Sequence, residues 1–143
     1  MNNSPDHTLM SKQHEMLTLV SDPKNVARLE PFVERVFEEY NLDPEIYGNI
    51  LISLTEAGTT PIIHGNDTDR NKIVRVQMRK IRKKLAFLIS DEGPGFDFDQ
   101  LPDPTAPENL LKIGGRGVFL MRQLSDDVEF LDNGSTVQIQ FNL

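Results

Sequence analysis

Apolar side chains in the first half of the chain recur every three or four residues, which is the period of an amphipathic helix. Two such helices are predicted. Each helix is predicted to begin with a capping residue and a first-turn proline. Ser21 or Asp22 precedes Pro23 in the first helix, and Asp43 precedes Pro44 in the second. The stripe of the first helix is Val26, Leu29, Val33, Val36 and Tyr40, and that of the second is Ile46, Ile50, Leu54 and Ala57.

Alternating apolar and polar residues, typical of half-buried strands, mark the other elements. They predict a first, peripheral strand at 14–20, strands at 73–78 and 85–90, and a closing hairpin of 128–131 and 136–141. A short helix is predicted at 118–124. Helices early and strands late favour an α+β fold, a two-layer sandwich in which helices cover one face of a mixed, largely antiparallel sheet.

The 143 residues suit one domain, and no internal repeat indicates a second. Residues 1–12 are polar and are predicted to be a disordered tail, which leaves a single domain at 13–143. Within it, the segment at about 97–113 contains Pro102, Pro104 and Pro107 and has little periodicity. Loops of that length usually serve a function, so we expect a mobile lid.

Composition excludes several classes of protein. A net charge of −7 disfavours a nucleic-acid partner, because phosphate contact needs a positive footprint. No apolar run approaches the roughly 18 residues that span a bilayer, and the polar N-terminus lacks a signal peptide's apolar segment. Zero cysteines exclude disulfides and thiolate metal sites. We therefore expect a cytoplasmic protein that binds neither nucleic acid nor membrane.

Positive charge is concentrated in one segment. Eight of the fifteen Lys and Arg residues lie at 70–84, where there is no acid, so the rest of the chain holds seven basic and 22 acidic residues. The pattern predicts a solvated hairpin whose lysines protect a sheet edge. A dedicated docking patch is the alternative.

A carboxylate and two glycines follow the apolar strand at 85–90. Asp91 can accept a hydrogen bond from the exocyclic amine of adenine, and Gly93 and Gly95 lack the β-carbons that would keep a flat base off the backbone. An ordinary turn after a strand explains the same residues. By itself this segment suggests, without requiring, an adenine site.

A second glycine segment precedes the short helix. Gly115, Gly117 and the amide of Val118 could direct backbone N–H groups at phosphate oxygens, with the positive end of the helix behind them. Neither the P-loop nor the dinucleotide-binding glycine pattern is present. A plain loop-to-helix turn remains the alternative.

Glu56 and Thr60 are four residues apart on the second helix and so share a face. A carboxylate there could take the proton of an attacking hydroxyl as a general base. An exposed helix glutamate is the ordinary alternative.

In this order the segments resemble the histidine-kinase-like ATPase superfamily with its Bergerat ATP-binding fold, and within it the bacterial anti-sigma serine protein kinases. The resemblance covers residues 15–143. It is carried by Leu54-Thr55-Glu56-Ala57, Ile62-Ile63-His64-Gly65, Asp91-x-Gly93-x-Gly95-Phe96, the segment from Leu101-Pro102 to Leu110-Leu111, and Gly115-Arg116-Gly117-Val118-Phe119-Leu120-Met121.

The resemblance implies a role for each of these residues. Asp91 would contact the adenine amine beside Gly93 and Gly95, and the glycines of the second segment with Val118 would lie by the phosphates of ATP or ADP. Ser135 would stand where the family often has a threonine near the base, and Glu56 would be the general base.

The family also implies partners. A serine of a STAS-type anti-sigma-factor antagonist would accept the phosphate, a sigma factor would be sequestered, and a homodimer is an assembly found among relatives.

One position departs from the family pattern. Where the family has an asparagine that binds Mg²⁺, this chain has Thr60, whose hydroxyl is shorter and a weaker donor to a metal. Gly58 and Pro61 predict a kink or an end of the helix at the site. Two hypotheses therefore stay open, an ATP-dependent serine kinase with a degenerate metal position and a nucleotide-dependent partner-switching module with little or no catalysis. A sheet-edge interaction domain without ligand is a third.

Overall fold

The computed structural model describes residues 14–60, 71–92, 115–132 and 135–143. They form five strands, three α-helices and two short 3₁₀ turns. The strands are β1 (His14–Val20), β2 (Ile73–Ile81), β3 (Lys84–Ser90), β4 (Asp127–Leu131) and β5 (Thr136–Asn142). The helices are α1 (Leu29–Tyr40), α2 (Tyr47–Thr60) and α3 (Gly115–Leu124), and the 3₁₀ turns are Pro23–Arg28 and Pro44–Ile46.

The five strands form one sheet in the order β1-β2-β3-β5-β4. Each of the four pairs in the described part of the chain is antiparallel. β1 and β4 are the edges, so the predicted peripheral position of the first strand is confirmed. The α+β fold class is confirmed as well.

The helices lie on one face of the sheet. Strand alternation directs the apolar residues of β2, β3 and β5 to that face, where α2 contacts both β3 and β5, and α1 and α3 pack against α2. The core is built from strand residues Val74, Val76, Met78, Leu85, Phe87, Ile89, Val137, Ile139 and Phe141 and from helix residues that include Leu29, Val33, Val36, Ile50, Leu54, Ala57 and Met121. The opposite face carries polar residues such as Arg75 and Gln77.

The two predicted caps are present, but each begins a 3₁₀ turn and not an α-helix. The Asp22 carboxylate accepts from the Lys24 amide at 3.2 Å, and the Asp43 carboxylate accepts from the Glu45 amide at 2.9 Å. The α-helices begin only at Leu29 and Tyr47. Asn41 ends α1 in the left-handed conformation, with φ 50°.

Gly58 does not break the second helix, which corrects the expectation for that residue. α2 stays helical through Gly58 to Thr60, and Pro61 lies outside the described residues. The reason for glycine here is space: a β-carbon at position 58 would lie 2.9 Å from Leu29 Cδ1. Close packing of α2 on the start of α1 requires the missing side chain.

The basic hairpin does not protect a sheet edge, so that prediction is wrong. β2 and β3 are inner strands, and the turn at Arg82 and Lys83 only extends beyond the end of the sheet. Residues 82–84 are exposed. Sequence alone could not show this, because strand order depends on pairing partners far along the chain.

No described helix is long and apolar enough to cross a membrane. The predicted tail at 1–12 and the predicted lid at 97–113 both lie outside the described residues.

Candidate functional site

The exits of β3 and β5 bring two predicted site residues together. The register pairs Ser90 with Thr136, and the next residues outward are Asp91 and Ser135. The Asp91 amide donates to the Ser135 carbonyl oxygen at 2.9 Å. Asp91 and the serine that the family pattern places near the base are therefore cross-strand neighbours.

Both residues belong to the face of the sheet that the helices cover. Ile89 and Val137 are buried in the core, and each lies two residues from its site neighbour, so alternation gives Asp91 and Ser135 the same side as these core residues. Asp91 and Ser135 are themselves only half-buried. The site is thus a partly open end of the core, where a ligand can reach a carboxylate at a strand exit.

Glu56 lies on α2, the helix that contacts β3, β5 and α3. Its side chain is half-buried, next to the buried Ala57. The neighbouring hydroxyls are engaged within the helix, since Thr55 donates to the Leu51 carbonyl at 2.7 Å and Thr59 donates to the Thr55 carbonyl at 2.6 Å. Glu56 is the carboxylate on this stretch of α2, and its role as general base stays a prediction.

The glycine segment lies within a helix, not before one. α3 begins at Gly115, three residues earlier than the predicted start at Val118, and Gly117 and Val118 are buried in its first turn. The first four N–H groups of an α-helix have no acceptor inside the helix. The amides of Gly115 and Gly117, the first and third residues of α3, are among these four, whereas the amide of Val118, the fourth residue, is not. The start of the helix therefore supplies two of the three donors that the sequence assigned to a loop.

Three predicted site residues remain, namely Thr60, Gly93 and Gly95. Thr60 is the last residue of α2, one turn beyond Glu56, while Gly93 and Gly95 lie outside the described residues. Over 14–60, 71–92, 115–132 and 135–143, no group of three His, Cys, Asp or Glu side chains could hold a metal ion.

Sequence reasoning missed a set of side chains at the strand exits. The Thr136 hydroxyl lies 3.1 Å from Ser90 Oγ and 3.1 Å from Asp132 Oδ2, and Ser135 Oγ donates to the Asp132 carbonyl at 2.8 Å. Glu92 accepts from the Ile73 amide at 2.7 Å. The signal was the run Asp132 to Thr136, whose residue types favour local turns with side-chain hydrogen bonds.

Comparisons with known proteins find a matching family and several similar sequences. Residues 19–141 match the family described as "Histidine kinase-like ATPase domain". The "Serine-protein kinase RsbW" of Bacillus subtilis (strain 168) is 31% identical over 97 residues, which are 64% of this chain and 60% of that protein. The protein of the same name from Listeria innocua is 25% identical over 137 residues, 90% of this chain and 87% of the relative.

A third relative, the "Serine-protein kinase RsbW" of Bacillus velezensis, is 30% identical over 96 residues, 62% of this chain and 60% of that protein. The alignments with the two Bacillus relatives thus span about 60% of those proteins. The alignment with the Listeria protein extends over most of both chains.

Proposed function

Because the chain belongs to the histidine kinase-like ATPase family, as the match over residues 19–141 shows, we propose that it is an ATP-dependent serine protein kinase. The observation that carries the proposal is that one helix, α2, packs against the elements that bear the other two motifs. α2 bears Glu56 and contacts β3 and β5, whose exits bear Asp91 and Ser135, and it also contacts α3, whose first turn bears the glycine amides. The relatives named serine-protein kinase support the reaction type.

Asp91 forms the adenine end of the proposed site. Its carboxylate accepts from the exocyclic amine of the base, while its own amide is held by the Ser135 carbonyl. Gly93 and Gly95 leave room for the ring beside the backbone. The contact selects one position of the base, because a displaced base would lose the hydrogen bond between its amine and the half-buried carboxylate.

The first turn of α3 forms the phosphate end. Its first amides, which have no acceptor inside the helix, and the positive end of the helix both favour a polyanion. Gly115 and Gly117 bring no side chain between these amides and the phosphate oxygens. Mg²⁺ that entered with ATP would keep water molecules and phosphate oxygens as ligands, and Thr60 would be the residue at the position of the family's metal-binding asparagine.

The transfer step moves one phosphoryl group. A serine hydroxyl of the partner attacks the γ-phosphorus, Glu56 takes the hydroxyl proton, and the bond from that phosphorus to the β–γ bridging oxygen breaks. ADP leaves with the electron pair of that bond. The role of Glu56 is to hold the partner's serine in line and accept its proton.

The partner classes follow from the resemblance to the anti-sigma branch. We propose that the phosphorylated serine belongs to a STAS-type antagonist, and that the unmodified antagonist competes with a sigma factor for this protein. A homodimer is the assembly we expect. Phosphorylation would then release the antagonist and leave the sigma factor bound.

A second function is favoured by Thr60, which stands where the family has a metal-binding asparagine. A protein that binds ATP without transferring its phosphate would use the nucleotide only to select a partner. Such a switch would bind ATP with little dependence on Mg²⁺ and would leave the antagonist unmodified.

The test is phosphate transfer to STAS-domain proteins purified from the same organism. Wild-type protein with MgATP should label one of them on serine, and Glu56→Ala should lower the rate by about 10²- to 10⁴-fold while ATP affinity stays within about twofold. Glu38→Ala, which removes an exposed carboxylate from α1, is the matched control and should label normally. Full transfer by the Glu56 variant would contradict its assignment as base.

A further inference from the structure

Three side chains behind the adenine end form one chain of hydrogen bonds. The Thr136 hydroxyl lies 3.1 Å from Ser90 Oγ and 3.1 Å from Asp132 Oδ2, and Thr136 is only 6% exposed. An ionised carboxylate can only accept, so Thr136 donates to Asp132, and Ser90 then donates to Thr136. The chain runs from β3 through β5 to the residue that follows β4.

This chain is directly attached to the backbone of the proposed site. Ser90 immediately precedes Asp91, and Thr136 immediately follows Ser135. Asp132 also accepts two hydrogen bonds at its carbonyl, from Ser135 Oγ at 2.8 Å and from the Ser135 amide at 3.2 Å. The last regular ladder pair, Ser90 with Thr136, is therefore joined by side chains as well as by the backbone pairing.

Two of the three side chains lie on the face of the sheet opposite to the site pair. Ser90 and Thr136 each stand one residue from Asp91 or Ser135, so alternation gives them the opposite face. Their connection to the proposed site is the backbone that they share with Asp91 and Ser135. The backbone of Asp132 lies in the left-handed region, with φ 51°, which aspartate adopts more readily than most residues.

We propose that Thr136, together with Ser90 and Asp132, is a positioning residue for base recognition, which fixes where the Asp91 carboxylate meets the exocyclic amine of adenine. The inference rests on the proposed ATP site. Its physical basis is that a hydrogen bond weakens steeply when its geometry is lost. A small displacement of Asp91 should therefore weaken the contact with the adenine amine, while binding of the phosphates is little affected.

The experiment compares ATP with inosine triphosphate, which has a carbonyl oxygen in place of the exocyclic amine. Thr136→Val keeps the shape of the side chain and loses both hydrogen bonds, whereas Thr136→Ser keeps the hydroxyl. The exposed Thr18 of β1 provides the matched control, Thr18→Val. Dissociation constants for both nucleotides are measured by calorimetry, with melting temperatures of the free proteins.

We expect Thr136→Val to weaken ATP binding about tenfold and inosine triphosphate binding less than about twofold, so that the preference for ATP narrows. Thr136→Ser and Thr18→Val should keep the preference of the wild type. Should Thr136→Val fail to fold, the half-buried Ser90→Ala removes one end of the chain and should narrow the preference in the same direction.

The inference would be overturned if Thr136→Val, or Ser90→Ala in its place, had a lower melting temperature but kept the wild-type ratio of ATP to inosine triphosphate affinity. The hydrogen-bonded side chains would then have only a structural role. A wild-type protein that binds neither nucleotide would overturn the proposed function itself. These two failures are distinct, because the first requires a wild type that binds ATP.

Discussion

At the scale of single residues, the clearest electrostatic feature lies away from the nucleotide site. Tyr40, the last residue of α1, donates its hydroxyl to Glu15 of β1 at 3.3 Å, and Arg35 lies 3.6 Å from the other oxygen of that carboxylate. Burial first, and then the negative charge of Glu15, raise the pKa of Tyr40 to about 12. Burial also raises the pKa of Tyr47. The contacts of Tyr40 and Arg35 with Glu15 connect the edge strand β1 to α1.

The raised pKa of Tyr40 predicts a loss of stability in strong base. In the unfolded chain a tyrosine pKa is about 10. The stabilising effect is therefore complete below about pH 10 and is lost as the pH rises toward the folded-state pKa of about 12. In Tyr47→Phe, which leaves one tyrosine, phenolate absorbance should show a midpoint near pH 12. Glu15→Gln should lower that midpoint, while an unshifted midpoint near 10 in the parent would contradict the burial argument.

At the scale of elements, residue chemistry predicted the bounds of the strands closely, but it missed the starts of the α-helices and the order of the strands in the sheet. Asp22 and Asp43 cap as their sequence context indicates, because capping depends on the next two or three residues. The early start of α3 was missed because glycine has low helix propensity, which tertiary packing overrode at Gly117. The inner position of β2 and β3 was missed because sheet order is not local.

Two glycines of α2 provide a matched test of packing against propensity. Gly48→Ala meets nothing within 4 Å and should stabilise the protein by up to about 1 kcal/mol, because alanine is the better helix former. Gly58→Ala would place its β-carbon 2.9 Å from Leu29 Cδ1, in a fully buried core. Overpacking should outweigh propensity there and cost about 1 kcal/mol or more. Urea unfolding measures both, and equal stabilisation by both variants would contradict the account of Gly58.

At the scale of the whole molecule, three short motifs far apart in sequence are carried by elements in contact. The motifs that contain Glu56, Asp91 and Gly115 predicted a nucleotide site. In the fold the elements that carry them are neighbours, because α2 contacts β3, β5 and α3. The Asp132–Thr136–Ser90 chain could not be predicted, since it depends on the β3–β5 register. Local sequence patterns thus identified the residues proposed to contact the nucleotide, but not the hydrogen-bonded side chains proposed to position them.

The proposed ATP site is tested most directly by calorimetric titration of the wild-type protein with ATP, with and without Mg²⁺. We predict saturable binding that Asp91→Ala weakens by about tenfold or more and that Asp127→Ala, an exposed carboxylate on β4, leaves unchanged. Tighter binding with Mg²⁺ would favour the kinase over the nucleotide switch. Equal ATP affinity in the wild type and Asp91→Ala, or no binding at all, would contradict the proposed site.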